Sequence, residues 1–277
     1  MDRASHTSAL ERDVPVQSVL LVLSALLLPV LLAASYALYL RPDVGIDRFA
    51  WPMRPTITSM MLGATYLGGA SFFVIVLASR RWRHVRLGFL PIAAFAATLG
   101  LATLIHWGAF AHERWAFWVW AFLYFSVPVV LPLLWLRNRR SACGTAPIRE
   151  HVLSPLVRRS FAGSGVVLTA AALLLFLVPQ AMIATWPWTL TPLTSRIMSA
   201  IFLLPGLVGL AIANDGRWDG ARHLLSVQAL TVVLMLGAIV FARADLDWSS
   251  PASWTFVAGM SGVLLLIAYA HFDVRKR

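Results

Sequence analysis

The chain has 277 residues, 59% of them hydrophobic and only 13% charged, with a mean hydropathy of +0.76 and a formal charge of +11. A soluble domain carries charge at about a quarter of its positions, so this composition excludes a water-soluble fold and implies a polytopic, all-α membrane protein. The basic residues lie in short gaps between apolar runs, which points to a membrane surface and excludes nucleic acid as the partner.

Eight runs approach the roughly 20 residues needed to cross a bilayer. The first, 16–40, is longer than the apolar core of a signal peptide and its flank "ERDVP" is not basic, so it reads as a retained helix. The second, 56–79, places Ser59 and Gly63, then Ala64 and Gly68, four residues apart, a spacing that lets helices approach closely. Spans at 87–106 and 116–136 complete a first quartet. A basic linker, 137–163, follows. Within it, Ser154 and Pro155 read as N-cap and first helical position. Leu156, Val157 and Phe161 are expected against the membrane, with Arg158 and Arg159 on anionic headgroups. The second quartet is expected at 164–185, 197–214, 224–242 and 254–271. Pro29, Pro128, Pro132, Pro179 and Pro205 interrupt spans, and Pro179 is expected to loosen the helix ladder beside Gln180.

The charges orient the chain. With both termini cytoplasmic, 17 of the 23 Lys and Arg residues fall on the inner side. The outer loops keep Arg41, Arg48, Arg54, Arg114, Arg196 and Arg243, so the positive-inside rule places both ends in the cytoplasm.

The two quartets resemble each other. "RWRHVR" at 81–86 and "RWDGAR" at 217–222 align Arg81 with Arg217, Trp82 with Trp218 and Arg86 with Arg222, each 136 residues apart. Trp118 and Trp254 keep that offset, while Pro55 and Pro192, Met61 and Met198, and Gly69 and Gly206 differ by 137. A common register across helices and loops predicts two parallel four-helix repeats, 1–136 and 164–277, related by an axis along the membrane normal. The paired Arg81, Trp82, Arg86 and Arg217, Trp218, Arg222 are expected to form a rim that meets lipid headgroups.

Residues that carry chemistry are few. No Asp, Glu, Lys or Arg lies near the middle of a span, which argues against ordinary ion-coupled transport. Gln180 and Gln228 are the intramembrane amides and candidate substrate contacts. Nine of the twelve Trp are expected on the outer side, among them Trp118 and Trp254, where they would form an interfacial belt or line a vestibule. "IHWGAFAHERW" gathers His106, His112 and Glu113, an acid–base set without recognisable metal spacing. Cys143 is the only cysteine, so no thiolate cluster or intramolecular disulfide is expected; no metal or cofactor is expected either.

"FAWPMRP", "GATYLGG" and "WAFWVW" resemble segments of polytopic membrane proteins from bacteria with GC-rich genomes. That resemblance implies a multi-pass protein of the bacterial plasma membrane and no particular activity. Three functions are compatible with the residues. The first is a small-molecule or lipid permease with a site between the repeats. The second is a non-catalytic subunit or scaffold bound to a membrane partner or a second copy. The third, least favoured, is a membrane-face enzyme using His106, His112 and Glu113.

Overall fold

The computed structural model describes residues 14–142 and 151–276. Cys143 lies outside the described residues, as do Arg3, Arg12, Arg149 and Arg277 of the basic residues counted above. Among the described residues there is no β-strand. The helices in order are α1 (Ser18–Ser35, continued by a π-helical turn, Tyr36–Leu40), α2 (Pro42–Arg48), α3 (Thr56–Ser79), α4 (Trp82–Val85), α5 (Phe89–Ile105) and α6 (Trp115–Ala142). After the connector come α7 (Pro155–Leu177), α8 (Pro179–Ile183), α9 (Pro192–Asp215), α10 (Trp218–Phe241) and α11 (Pro251–Arg275).

Seven of these are long and apolar enough to cross a membrane: α1 with its π turn, α3, α6, α7, α9, α10 and α11. Their backbone groups are bonded within each helix, as a lipid environment requires. Helix α5, where the sequence suggests a span at 87–106, has 17 residues. At about 1.5 Å per residue it reaches about 25 Å, short of a hydrocarbon core of about 30 Å.

Helix ends depart from the apolar boundaries because a helix does not stop where hydropathy does. Helix α6 runs on through "RNRRSA" to Ala142. Helix α7 begins at Pro155, not near 164, because the Ser154 hydroxyl accepts from the Val157 N–H at 3.3 Å and nothing interrupts the turns that follow. The basic segment expected to lie along the membrane is therefore the first part of α7, with Val157 and Phe161 buried and Leu156 exposed. Helix α7 does break before Pro179: Val178 leaves helical geometry, and α8 restarts at the proline. Thr191 and Thr194 cap α9 reciprocally.

Helices α3 and α9 are the most buried of the spans and form the centre. Helix α3 packs between α1 and α10, and α9 between α7 and α5. Helix α6 lies outside α5, and α11 is the most exposed span. A seam thus runs through the bundle, where helices from before the connector interlock with helices from after it. Close approach needs small residues. Gly68 meets the Thr231 hydroxyl across the seam, and a Cβ on Gly165 would stand 2.9 Å from the Gly206 carbonyl oxygen.

The inter-helix loops are tied by backbone hydrogen bonds between segments distant in the chain. Val16 N–H donates to Arg80 O at 2.9 Å, and Leu153 N–H to Gly216 O at 2.8 Å. Trp82 N–H donates to Val14 O, and Trp218 N–H to His151 O, both at 2.9 Å. Arg80 and Gly216, which end α3 and α9, both adopt left-handed backbone, at φ 52° and 70°. At the opposite end of the bundle, Ala111 N–H donates to Ala50 O and Asp247 N–H to Pro187 O.

Candidate functional site

A cavity of about 110 Å³ lies on the seam between α3, α5, α9 and α10, with α11 at its flank. Its wall is almost entirely apolar. Thr65 and Thr231 reach it, but their hydroxyls donate to Met61 O and Val227 O of their own helices. Gln228 also lines it, and its carboxamide has no hydrogen-bond partner among the described residues. Gln228 is half-buried, so its amide is open to hydrogen bonding by a small molecule or water that enters the cavity.

Other contacts cross the seam towards the two ends of the bundle. At the arginine-rich end, Arg83 pairs with Asp219 at 3.1 Å and Arg86 with Asp215 at 2.6 Å. His84 and His223 face each other with ring centroids 4.9 Å apart, and the His84 Nδ1 is bonded to the Ser79 hydroxyl at 2.7 Å. Burial, then the charges of His223, Arg222 and Arg83, push the His84 imidazole down to about 4, with Asp219 opposing. At the tryptophan-rich end, the Trp188 indole N–H donates to the Thr58 hydroxyl at 2.9 Å, and the Asp245 carboxylate accepts from the Ile57 N–H near the start of α3. Arg196 meets the His106 Nε2 at 2.7 Å, and the Tyr39 hydroxyl donates to Leu234 O at 2.8 Å.

Of the substrate contacts expected from sequence, Gln228 lies in the cavity, and His106 lies outside it, against Arg196 across the seam. Gln180 is exposed on α8. Glu113 is exposed beside Arg114, while the His112 ring packs on Trp107 and Phe117. Trp118 and Trp254 are 58% and 60% exposed, and their indole N–H groups donate to His112 O and Trp248 O, so both rings lie on the outside of the bundle. Trp51, Trp120 and Trp188 are instead buried in ring-on-ring packing. Among the described residues no three His, Cys, Asp or Glu side chains are grouped to hold a metal.

The expected headgroup residues divide in the same way. Arg81, Arg159 and Arg217 are exposed. Arg158 is exposed too, but its Nε donates to Ala213 O. Trp82 is buried and stacks on Phe89, and Trp218 packs edge-on against His271. Arg86 is engaged by Asp215, and Arg222 lies 3.8 Å from Asp219. The residues sequence reasoning missed are the acidic partners and the histidine pair.

No known protein family, curated protein or solved structure matches this chain.

Proposed function

We propose that the chain consists of two four-helix units in the same orientation, approximately 1–136 and 164–277, and that it is a permease whose solute passes along the seam between them. The offset of 136 or 137 residues supports the duplication at the level of contacts. It relates Val16–Arg80 to Leu153–Gly216, and Trp82–Val14 to Trp218–His151. It also relates Ala111–Ala50 to Asp247–Pro187, and the Ser59 hydroxyl on Leu38 O to the Ser195 hydroxyl on Leu175 O. Packing follows the same relation, since α5 against α9 corresponds to α10 against α3. The run 87–106, which holds α5, counts as the eighth span in this reading, and the correspondence extends upstream of 164 to His151–Leu153. The positive-inside rule supports both termini in the cytoplasm, and the resemblance of its Trp, Pro and Gly motifs to bacterial polytopic proteins supports a bacterial plasma membrane as the setting.

The permease reading is carried by one observation: the unpaired Gln228 amide in an otherwise apolar cavity walled by both units. Such a wall suits a small, mostly uncharged solute that makes one or two hydrogen bonds. Flux of a panel of small uncharged and amphipathic solutes in cells tests it. Gln228→Leu should reduce transport of at least one at unchanged expression; equal flux across the panel overturns the reading. A second reading, a subunit or scaffold, is favoured by α11, whose Leu265, Tyr269 and Phe272 are exposed. That reading requires a fixed partner or second copy to co-purify from native membranes.

A further inference from the structure

A second pocket, of about 300 Å³, opens at the arginine-rich end between α4, α6 and the end of α9. It differs from the seam cavity in its chemistry. Trp82 and Trp135 form its walls, with ring centroids 6.5 Å apart and inclined at 53°. The Arg139 guanidinium lies over the Trp135 ring at 5.2 Å and has no carboxylate partner among the described residues. Arg86 lines the pocket with one side of its guanidinium held by Asp215, and the Trp135 N–H donates to the Arg86 carbonyl at 3.0 Å. Asn214 completes the lining; it is exposed, and its carboxamide has no partner among the described residues.

Two guanidinium groups against one carboxylate leave this pocket with a net positive charge. Its uncommitted donors are the Arg139 fork and the N–H groups of the Asn214 amide, while the second Asp215 carboxylate oxygen is buried without a hydrogen-bond partner. Arginine suits anions with several acceptor oxygens, and here the Arg139 guanidinium lies over an indole face with its N–H groups free. Asp215 holds Arg86 in one geometry, so the second positive charge is pre-organised. A pocket of this volume exceeds what a carboxylate fills, and it opens where the apolar spans give way to arginine.

We propose that this pocket binds a phosphate group, with Arg139 and Asn214 as its ligands and Arg86 as a fixed positive wall. The phosphate is carried either by an anionic lipid headgroup or by a soluble phosphate compound. The site does not depend on the seam's carrying a solute. It is built once: at the positions offset by 136, His271 replaces Trp135 and Ala78 replaces Asn214, while Arg275 stands for Arg139. Arg275 therefore serves as an internal control.

Binding to the purified full-length protein in neutral detergent micelles tests the proposal, with three probes: phosphatidylglycerol, diacylglycerol of the same acyl chains, and inorganic phosphate. Phosphatidylglycerol should bind and diacylglycerol should not. Arg139→Gln should weaken binding at least tenfold and Asn214→Leu severalfold, whereas Arg275→Gln should stay within twofold. Inorganic phosphate binding with the same Arg139 dependence assigns a soluble phosphate; binding of phosphatidylglycerol alone assigns the headgroup. Both side chains are exposed, so the variants keep the fold, which a single symmetric peak on gel filtration checks. Failure of both phosphate probes to bind, or equal loss in Arg139→Gln and Arg275→Gln, overturns the proposal.

Discussion

Gly68→Ala is the sharpest probe of the seam. A Cβ at this position meets the Thr231 hydroxyl at a separation no pair of atoms sustains, with the Thr231 Cβ at 3.3 Å and its Cγ2 at 3.6 Å behind it. Replacing Gly by Ala in a helix interior favours the helix by about 1 kcal/mol. Overpacking a close crossing costs about 1–3 kcal/mol, and here the obstacle is a hydroxyl tied to Val227 O on a stiff, β-branched side chain. So rigid an obstacle takes the upper part of that range, about 2–3 kcal/mol, which leaves a net loss of about 1–2 kcal/mol. Thr231→Ala alone removes one hydrogen bond within its own helix and should cost under about 1 kcal/mol. Combined, the two substitutions remove the colliding atom and leave a contact near 3.3 Å, so the double variant should return to within about 0.5 kcal/mol of the parent. Reversible unfolding in mixed micelles with increasing SDS, followed by circular dichroism, measures all four proteins. A Gly68→Ala variant as stable as the parent, or a double variant no better than the sum of the singles, would refute the close crossing of α3 and α10.

Further consequences are measurable in the same assay. Asp219→Asn deprives Arg83 of its carboxylate in a site where the two side chains are 20% and 24% exposed, and should cost roughly 1–3 kcal/mol; Arg83→Asp with Asp219→Arg should recover only part of it, since position 219 then repels Arg222. Ser59→Ala and Ser195→Ala remove related hydrogen bonds and should each cost about 0.6 kcal/mol, additively; a neutral effect at one and more than 2 kcal/mol at the other would break the correspondence. His84, lowered from 6.5 to about 4, is neutral in the fold at neutral pH. As pH falls through that interval the unfolded chain takes up a proton that the folded site resists, so stability is lost progressively from 6.5 towards 4 and levels off below. The groups facing His84 are His223, Asp219, Arg83 and Arg222. His84→Gln should flatten the slope in this window, and an unchanged slope would place the sensitivity in those neighbours.

Much of the architecture was legible because hydropathy reports what lipid demands. The span at 56–79 coincides with α3 because its apolar run and its helix share both limits. The start of α7 was readable from the Ser154 cap, yet its joining to the span was not, since Arg158 and Arg159 interrupt the apolar pattern without breaking the helix. The site was harder to read. Gln228 was visible as an intramembrane amide, but Gln180 looked equivalent, and only packing separates a seam-facing position from an exposed one. The Trp82 rim looked like an interfacial anchor by type; Phe89, one helix start further on, is what turns it inward. Asp215 and Asp219 stand among arginines in sequence, and their partners across the seam are found only once α3, α4, α9 and α10 are assembled.

The duplication in like orientation is tested most directly by side-specific labelling of single cysteines in a Cys143→Ser background. Cysteines replacing Arg81 and Arg217 should react only from the cytoplasmic side, and those replacing Gly108 and Ser249 only from the outside. Reaction of positions 81 and 217 from opposite sides of the membrane would contradict it.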